Sequence, residues 1–375
     1  MKIAIISHLK HPVRPPFAGG LEMFTHALVR GLASRGHDVT CFATADSDPS
    51  LPIRGVCQLG TVALGDEQDC SSAERAEWVE RFENEVYDRL MDSVEWEEFD
   101  VIHNNSLHPR PLQHVSQLGT PMITTLHTPP LTRMTEVLED DWETAAIHFV
   151  NVSRANAQLW SESITNQTVI HNGVDTSRWS LNLRPRRQAV WFGRITPEKG
   201  THLAVAAAKQ AKLPLVIVGP KYDLPYFDNE IAPQLSEDVR YLGHTDHERL
   251  SQIVRSSAVT ILTPCWDEPF GLVAAESLAC GTPVAAFARG GLKEIVTERT
   301  GRLCEPNDVA SLAAGIRECL DLNRRDCRSR ATTSFGIDAN ISSYEKLYTE
   351  VTNHTEIPET LVSGWDVDGL AEVVV

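Results

Sequence analysis

Residues 266–284 read WDEPFGLVAAESLACGTPV, and this stretch points to the fold class more clearly than any other part of the chain. An apolar run that ends at Leu262 predicts a buried strand, and a loop with two prolines follows it. A helix is predicted to begin near Gly271, and a second apolar run starts at Pro283. This order of strand, helix and strand is typical of a parallel sheet with helices packed against it.

Short apolar runs alternate with amphipathic stretches along almost the whole chain, which predicts two doubly wound, Rossmann-like α/β domains. The first helix is predicted from Leu21 to Arg35, and Gly36 ends it. The predicted strands of the first half are Ile3–Ser7, Asp38–Thr44, Asp100–His103, Met122–His127, Phe149–Ser153 and Thr168–His171. Those of the second half are Ala189–Gly193, Leu215–Gly219, Val239–Leu242, Val259–Leu262, Pro283–Phe287 and Arg302–Cys304.

The polar and basic segment Leu181–Arg187, which Pro185 interrupts, is the best candidate for a linker between the two halves. We therefore predict an N-terminal domain over residues 1–184 and a C-terminal domain over residues 185–337. Two such domains create a cleft that faces the carboxyl ends of both sheets, where α/β proteins bind ligands. The segment Ile341–Val351 is predicted to be helical, and the sequence does not place the tail from Glu356 to Val375.

The composition is that of an ordinary soluble globular protein, with a net charge of −17 over 375 residues. This acidic excess argues against general nucleic-acid binding, which requires clustered Lys and Arg. The eight cysteines form no C-x-x-C pair and no other metal-ligand spacing, so we expect no metal site and reduced thiols in the cytoplasm. The N-terminal apolar run is too short for a signal peptide, and nothing later is long enough to cross a bilayer. Peripheral membrane contact and the oligomeric state stay open.

Two carboxylates flank the predicted helix start at Gly271, whose free amides and dipole favour an anion. Glu268 precedes the helix and Glu276 lies on it eight positions later, so roughly 12 Å separate them. That distance is too long for one acid/base pair and suits hydroxyl groups at opposite ends of an extended ligand, with phosphates between them. Ala274, Ala275 and Leu278 indicate that Glu276 is buried, and a buried carboxylate needs a partner.

A second motif, FGRITPEKG at residues 192–200, places Arg194 and Lys199 at the end of a predicted strand. Two cations there match the charge of a diphosphate leaving group. The pair Gly19-Gly20 precedes the first helix and would also offer free amides, although this signal is weak alone. His103, His108 and His127 stand near strand ends of the first half, where a ligand role and a structural role are both possible.

Together these motifs resemble family 4 of the retaining glycosyltransferases (glycosyl transferases group 1), which have the GT-B fold. The resemblance runs from Lys2 to about Tyr348, and its most specific parts are the two-glutamate motif and the Arg–Lys motif. Weaker parts include Asn172–Asp175 and Gly290-Gly291 with Glu294. The resemblance implies an acceptor-binding N-terminal domain, a donor-binding C-terminal domain and a last helix, at about 338–352, that packs back onto the N-terminal domain.

The resemblance also implies roles for individual residues toward a nucleotide-diphosphate sugar. Arg194 and Lys199 should hold the diphosphate, and Glu268 and Glu276 should bind the hydroxyls of the sugar and the ribose. His127 should contact the donor sugar. The remaining donor-binding positions are backbone groups: Gly19, Gly20, Gly193, Phe270, Gly271 and Leu272.

The activity implied is hexose transfer with retention at the anomeric carbon, by front-face attack in which the leaving phosphate oxygen helps to take the acceptor proton. UDP- or GDP-hexose is the expected donor, and no cofactor or metal is expected to be required. The acceptor, a saccharide, a lipid or a small metabolite, is not specified by the sequence. Two alternatives are a sugar-nucleotide epimerase or hydrolase of the same fold and a non-catalytic binding protein, against which the two cations and two carboxylates speak.

Overall fold

The computed structural model describes residues 1–66, 71–138 and 147–353. The tail Glu356–Val375 lies outside these ranges, as does Cys70. The strands are β1 Lys2–Ser7, β2 Asp38–Thr44, β3 Ile53–Cys57, β4 Val101–Asn105, β5 Met122–Leu126, β6 Ile147–Asn151, β7 Gln167–Val169, β8 Arg186–Phe192, β9 Leu215–Val218, β10 Val239–Tyr241, β11 Ser257–Leu262, β12 Val284–Phe287 and β13 Gly301–Cys304.

The helices connect these strands along the chain. They are α1 Gly20–Ser34, α2 Thr61–Asp66, α3 Ser72–Ser93, α4 Pro109–Gln113, α5 Thr132–Leu138, α6 Arg154–Trp160, α7 Thr201–Ala211, α8 Leu224–Tyr226, α9 His247–Ser256, α10 Leu272–Ala279, α11 Leu292–Ile295, α12 Val309–Cys319, α13 Arg324–Ser334 and α14 Ile337–Asn353.

The strands form two parallel sheets, which confirms the predicted pair of Rossmann-like halves. The first has the order β3-β2-β1-β4-β5-β6-β7 and the second the order β10-β9-β8-β11-β12-β13. Each sheet is buried on both faces because its crossover helices cover them, which explains why the strands read as continuous apolar runs. In each sheet, strands from the beginning of the half lie at the centre, so the strand order reverses there and opens a crevice at the carboxyl ends.

Strand β3 was not predicted, and its place at the sheet edge explains why. Its sequence, IRGVC, has no continuous apolar run because the strand has a single neighbour and is partly exposed. The other strands match the predicted positions, with ends that differ by up to three residues. The predicted linker Leu181–Arg187 includes the first two residues of β8, and the chain already packs into the second core at Val174 and Trp179. The domain limit at residue 184 stays a prediction.

Helix α14 lies against the first sheet, although the chain reaches it from the second. Ile341, Tyr344, Leu347 and Tyr348 belong to the same core cluster as the strands β1 and β4. A Cβ atom on Gly31 of α1 would lie 2.1 Å from Ile341 Cδ1, so the side chain of Ile341 packs directly on the backbone of α1 at this glycine. The last helix therefore ties the two sheets together through the core of the first.

Candidate functional site

Two helices begin with glycine on opposite sides of the cleft and face each other. Gly20 opens α1 in the first half, and Gly271 caps α10 in the second. A Cβ atom on Gly20 would lie 2.8 Å from Leu272 Cδ1, so the two helix starts meet there. Two positive dipole ends consequently point into one space, an arrangement that favours an anion.

The start of α10 leaves three backbone amides without acceptors. Among the described residues, none accepts a hydrogen bond from the amide of Phe270, Gly271 or Leu272. Gly271 has φ of 101°, a left-handed conformation that a side chain would strain. Gly290 supports the loop before it, because a Cβ there would come within 2.2 Å of the Glu268 carbonyl oxygen. The amides of this loop therefore face the cleft and are available to a ligand.

Lys199 and Glu268, predicted to contact different parts of one ligand, form an ion pair. Lys199 Nζ donates to Glu268 Oε2 over 2.6 Å, and Trp266 Nε1 donates to the same oxygen over 3.1 Å. Both side chains keep about a fifth of their surface exposed, at 22% and 18%. They line a small cavity of about 50 Å³ together with Gly193 and Gly271. A ligand in the cleft can therefore reach both charges.

Arg194 does not line this cavity, and its side chain lies closer to the first half. Its guanidinium lies 5.2 Å from the centre of the Tyr222 ring, a cation–π contact that holds its position. It is also close enough to His11 to lower the pKa of that imidazole, although burial is the larger cause. Arg194 and Lys199 thus stand at separate places on the rim of the cleft.

Glu276 is buried on α10, with 6% of its surface exposed. No described side chain forms an ion pair or a hydrogen bond with its carboxylate. Burial raises its pKa to about 8, against the opposing charge of Arg178. A carboxyl group in this state binds hydroxyl donors strongly, because it has no competing partner in the protein.

His127 lies at the carboxyl end of β5, partly exposed to the cleft. Its Nε2 lies 3.1 Å from Asn105 Oδ1, which assigns the ring proton to Nε2 because the amide oxygen can only accept. The ring packs against Phe24, with centroids 4.7 Å apart. Burial lowers the pKa of His127 to about 3, so the imidazole is neutral and its Nδ1 can accept a hydroxyl proton in a hydrogen bond.

A buried pair that the sequence did not reveal lies beside Gly19. His8 Nε2 lies 3.1 Å from Glu22 Oε1, and both side chains are less than 10% exposed. The amide of Lys10 donates to His8 Nδ1, so the His8 proton is on Nε2 and faces Glu22. Burial acts to raise the pKa of Glu22, but the contact with His8 outweighs it and the pKa is lowered.

The sequence did contain a signal for this pair, because His8 directly follows the first strand and Glu22 lies in the first turn of α1, after the glycine pair. A strand's carboxyl end and a helix's first turn are common places for ligand contacts. His11 lies at the edge of this pair, where the charge of Glu22 raises its pKa and that of Arg194 lowers it. The cluster is consequently on the first half's side of the cleft, opposite Arg194.

His103 and His108 have structural roles. His103 Nδ1 lies 2.6 Å from the hydroxyl of Tyr348, and its Nε2 lies 2.8 Å from Thr125 Oγ1, so both ring nitrogens are bonded within the core. His108 Nδ1 accepts from the amide of Arg110 at the start of α4. Of the two roles that the sequence left open for these strand-end histidines, the contacts support the structural one, and both side chains are buried.

Glu294 joins the two halves beside the cleft. Its carboxylate accepts from the amides of Arg154 and Ala155, at the start of α6, and lies 2.8 Å from His171 Nε2. The Asn172–Asp175 turn has a structural contact as well, because Gly173 packs directly on Ile337 at the start of α14. The chain passes from the first half to the second after Asn172–Asp175 and returns at the start of α14. These contacts hold the two connections next to each other.

The described residues contain no group of three or more His, Cys, Asp or Glu side chains that could hold a metal ion. Their seven cysteines are free thiols. Among the helices of residues 1–66, 71–138 and 147–353, none combines the length and apolar character that a membrane span requires.

Two family models match the chain, and they meet at residues 174–178. The model described as Glycosyltransferase Family 4 matches residues 18–178, and the model described as Glycosyl transferases group 1 matches residues 174–334. The chain is 28% identical to the glycogen synthase of Mycobacterium tuberculosis, over 89% of this chain and 91% of that protein. It is 26% identical to the D-inositol 3-phosphate glycosyltransferase of Mycolicibacterium smegmatis, over 92% and 91% of the two chains.

Solved structures share the fold over almost the whole chain. Sucrose-phosphate synthase from Thermosynechococcus elongatus superposes with a TM-score of 0.75 at 21% identity, covering 94% of this chain and 99% of that one. Anabaena HepE in complex with UDP-glucose superposes with a TM-score of 0.71 at 18% identity, covering 93% and 100%. At such identities the two likenesses establish the arrangement of the two sheets.

Proposed function

Since the chain belongs to family 4 of the glycosyltransferases and has the GT-B fold, we propose that it transfers a hexose from a UDP- or GDP-linked donor to an acceptor hydroxyl, with retention at the anomeric carbon. The observation that carries this proposal is the meeting of two helix starts, at Gly20 and Leu272, beside unpaired amides. Arg194 and Lys199 stand on the rim of the same space. Positive dipoles and two cations together match a diphosphate and little else.

The diphosphate lies, in this proposal, between the starts of α1 and α10. The amides of Gly271 and Leu272 donate to its oxygens from one side, and those of Gly19 and Gly20 approach from the other. Lys199 and Arg194 stabilise the negative charge that develops when the glycosidic bond to the phosphate breaks. Removing one such group from an active site typically lowers the rate 10²- to 10³-fold.

Glu268 and His127 then bind the hexose. The Glu268 carboxylate lies beside the phosphate site and is partly exposed, so it can accept hydrogen bonds from sugar hydroxyls. Because Lys199 neutralises it, Glu268 is a poor nucleophile, which favours front-face attack over a covalent intermediate. His127 accepts a hydroxyl proton in a hydrogen bond at Nδ1, consistent with its neutral ring.

Glu276 binds the ribose of the nucleotide. It lies on α10 beyond the phosphate site, four residues after the helix begins at Leu272. Its carboxylate has no partner among the described residues, and two ribose hydroxyls would supply the hydrogen bonds that a buried carboxyl group requires.

Glu22 and His8 stand where the acceptor must enter. They lie on the first half's side of the cleft, next to the amides of Gly19 and Gly20. The acceptor hydroxyl attacks on the face from which the diphosphate leaves, and a phosphate oxygen takes its proton. We assign Glu22 to binding the acceptor and His8 to holding the Glu22 carboxylate in position.

Glucose is the sugar we favour, since the relatives include a glycogen synthase and the similar structures include a complex with UDP-glucose. The test incubates the protein with UDP-glucose, GDP-mannose and ADP-glucose and measures release of the free nucleotide. Proton NMR then records the anomer of the sugar that is first released to water. We expect turnover of one donor with release of the α-anomer.

The same experiment separates the alternatives. Appearance of the β-anomer first would contradict retention, and a C2-epimerised sugar as the main product would indicate an epimerase. Binding without any nucleotide release, including in the presence of glucan, inositol phosphate and monosaccharide acceptors, would favour a non-catalytic binding protein. The Lys199→Ala protein serves as the blank for contaminating hydrolases.

A further inference from the structure

A cavity with a volume of about 480 Å³ lies away from the cleft, on the second half. Four arginines line it: Arg186, Arg240, Arg249 and Arg255. No Asp or Glu is among the lining residues, although the chain as a whole carries a net charge of −17. We call this cavity the arginine groove.

The strand register brings these side chains to one face of the second sheet. Val190 pairs with Val216, and Val216 pairs with Arg240, so the three lie side by side on one face. Because side chains alternate along a strand, Arg186 shares this face with Val190. Helix α9 borders the groove and contributes Arg249 and Arg255 from its two ends. The groove is therefore built from three strands and a helix, not from a single loop.

The four guanidinium groups have no anionic partner. Within the described residues, none of them forms an ion pair, whereas other arginines such as Arg35, Arg299 and Arg302 do. Arg186, Arg240 and Arg249 are exposed to solvent, so the four cations form a positive patch that attracts an anionic ligand. The planar guanidinium donates pairs of parallel hydrogen bonds to phosphate oxygens better than any other side chain.

The groove is separate from the donor cleft. Arg186 is the first residue of β8, and Gly193, which lines the donor cavity, follows the end of the same strand. At about 3.3 Å per residue, seven residues of strand place them roughly 23 Å apart. A donor bound at α10 therefore does not fill the groove.

We propose that the arginine groove binds a phosphorylated sugar as a second ligand. The arginines supply the phosphate contacts, and the amide oxygens of Gln188 and Gln252, whose nitrogens donate to Ser257 and Glu248, supply acceptors for hydroxyls. No aromatic side chain lines the groove, so it offers no stacking surface for a nucleobase. Its volume falls within the range of small-molecule sites, which is roughly 300–1,000 Å³.

The test measures binding of glucose 6-phosphate by titration calorimetry, with inorganic phosphate and glucose as fragment probes. The variant Arg186→Ala/Arg240→Ala removes two cations from the groove. Arg187→Ala is the matched control, because Arg187 is also exposed on β8 but points to the opposite face. Titration with the donor's nucleotide checks that the cleft is intact in each protein, and Arg240→Gln replaces the double variant if that one does not fold.

We expect one glucose 6-phosphate per chain, weaker binding at high salt, and at least a 10-fold loss of affinity in the double variant. Arg187→Ala should bind as the wild type does, and both fragments should bind at least 10-fold more weakly. The proposal is overturned if glucose 6-phosphate does not bind at millimolar concentration, if the nucleotide displaces it, if the double variant binds it equally, or if phosphate alone binds as tightly.

Discussion

The starts of α1 and α10 face each other across the cleft, yet they differ in the ion pairs beside them. Next to α10, Lys199 and Glu268 are about one-fifth exposed, so water or a ligand reaches both charges. Next to α1, His8 and Glu22 are 7% and 5% exposed. An exposed pair can exchange partners with a charged ligand at little cost, whereas a buried pair keeps its geometry. We therefore expect the Lys199–Glu268 pair on the donor side to change partners when a charged ligand binds. We expect the His8–Glu22 pair on the acceptor side to keep its geometry.

The largest effect is expected on the exposed pair. Replacing Lys199 with alanine removes a cation from the leaving diphosphate, so kcat should fall about 10²- to 10³-fold. The measurement is initial-rate kinetics with the preferred donor and acceptor. Lys209→Ala is the control, since Lys209 lies on α7 and its Nζ donates to Gln234 Oε1 at the surface. An unchanged kcat for Lys199→Ala would remove this residue from the leaving-group site.

A smaller effect is expected at Glu276, which should act on donor binding alone. At pH 9, where a carboxyl group with a pKa of about 8 is ionised, Glu276→Gln keeps the size of the side chain and removes the charge. Donor affinity should then fall by about 30-fold, or about 2 kcal/mol, as for one charge-assisted hydrogen bond. Calorimetry with the free nucleotide measures this change. Equal losses for the nucleotide and for its isolated base would contradict a ribose contact.

On the acceptor side, Glu22→Gln should lower kcat about 10-fold and leave the nucleotide Kd unchanged. The physical reason is that a neutral amide oxygen accepts the His8 Nε2 proton and the acceptor hydroxyl more weakly than a carboxylate does. The conservative replacement Glu22→Asp should recover part of the loss, with a raised acceptor KM. If Glu22→Gln weakens the nucleotide instead, Glu22 belongs to the donor site.

The two glutamates should also give opposite pH dependences of stability. The native pKa of Glu276 is raised to about 8, so the folded state binds the extra proton and stability is lost as pH rises from about 4.5 through 8. The native pKa of Glu22 is lowered, so its stabilisation is present above 4.5 and is lost as pH falls through the lowered native pKa.

Urea unfolding across pH 3–9 measures both effects as differences from the Gln variants. Glu276→Gln should gain stability relative to the wild type as pH rises, and Glu22→Gln should lose its deficit as the solution becomes acidic. Parallel curves for the two variants would show that the two carboxyl groups do not differ in environment.

The sequence predicted the two sheets and the donor motif because both depend on residues that are close along the chain. The apolar runs of β1, β8 and β11 are local, and so is the stretch from Glu268 to Glu276. Pairs that the fold assembles from distant residues were not predictable, such as Lys199 with Glu268 and Arg186 with Arg240.

The contacts of His103 were likewise not predictable from the sequence. Its strand-end position left a ligand role and a structural role open, and the hydrogen-bond partner that decides between them, Tyr348, lies 245 residues later on α14. The edge strand β3 escaped prediction because partial exposure removes the apolar run that marks a buried strand. In each case the missing information was the position of a distant element, not the chemistry of the residue.

The central claim is that the starts of α1 and α10, with Arg194 and Lys199, hold the donor's diphosphate. Calorimetry should compare the nucleoside, its monophosphate and its diphosphate for the preferred base, on the wild type and on Arg194→Ala/Lys199→Ala. We predict that affinity in the wild type rises at least 100-fold from nucleoside to diphosphate, and that the double variant loses most of this rise while still binding the nucleoside. Equal affinity for nucleoside and diphosphate in the wild type, or an undiminished rise in the variant, would contradict the account.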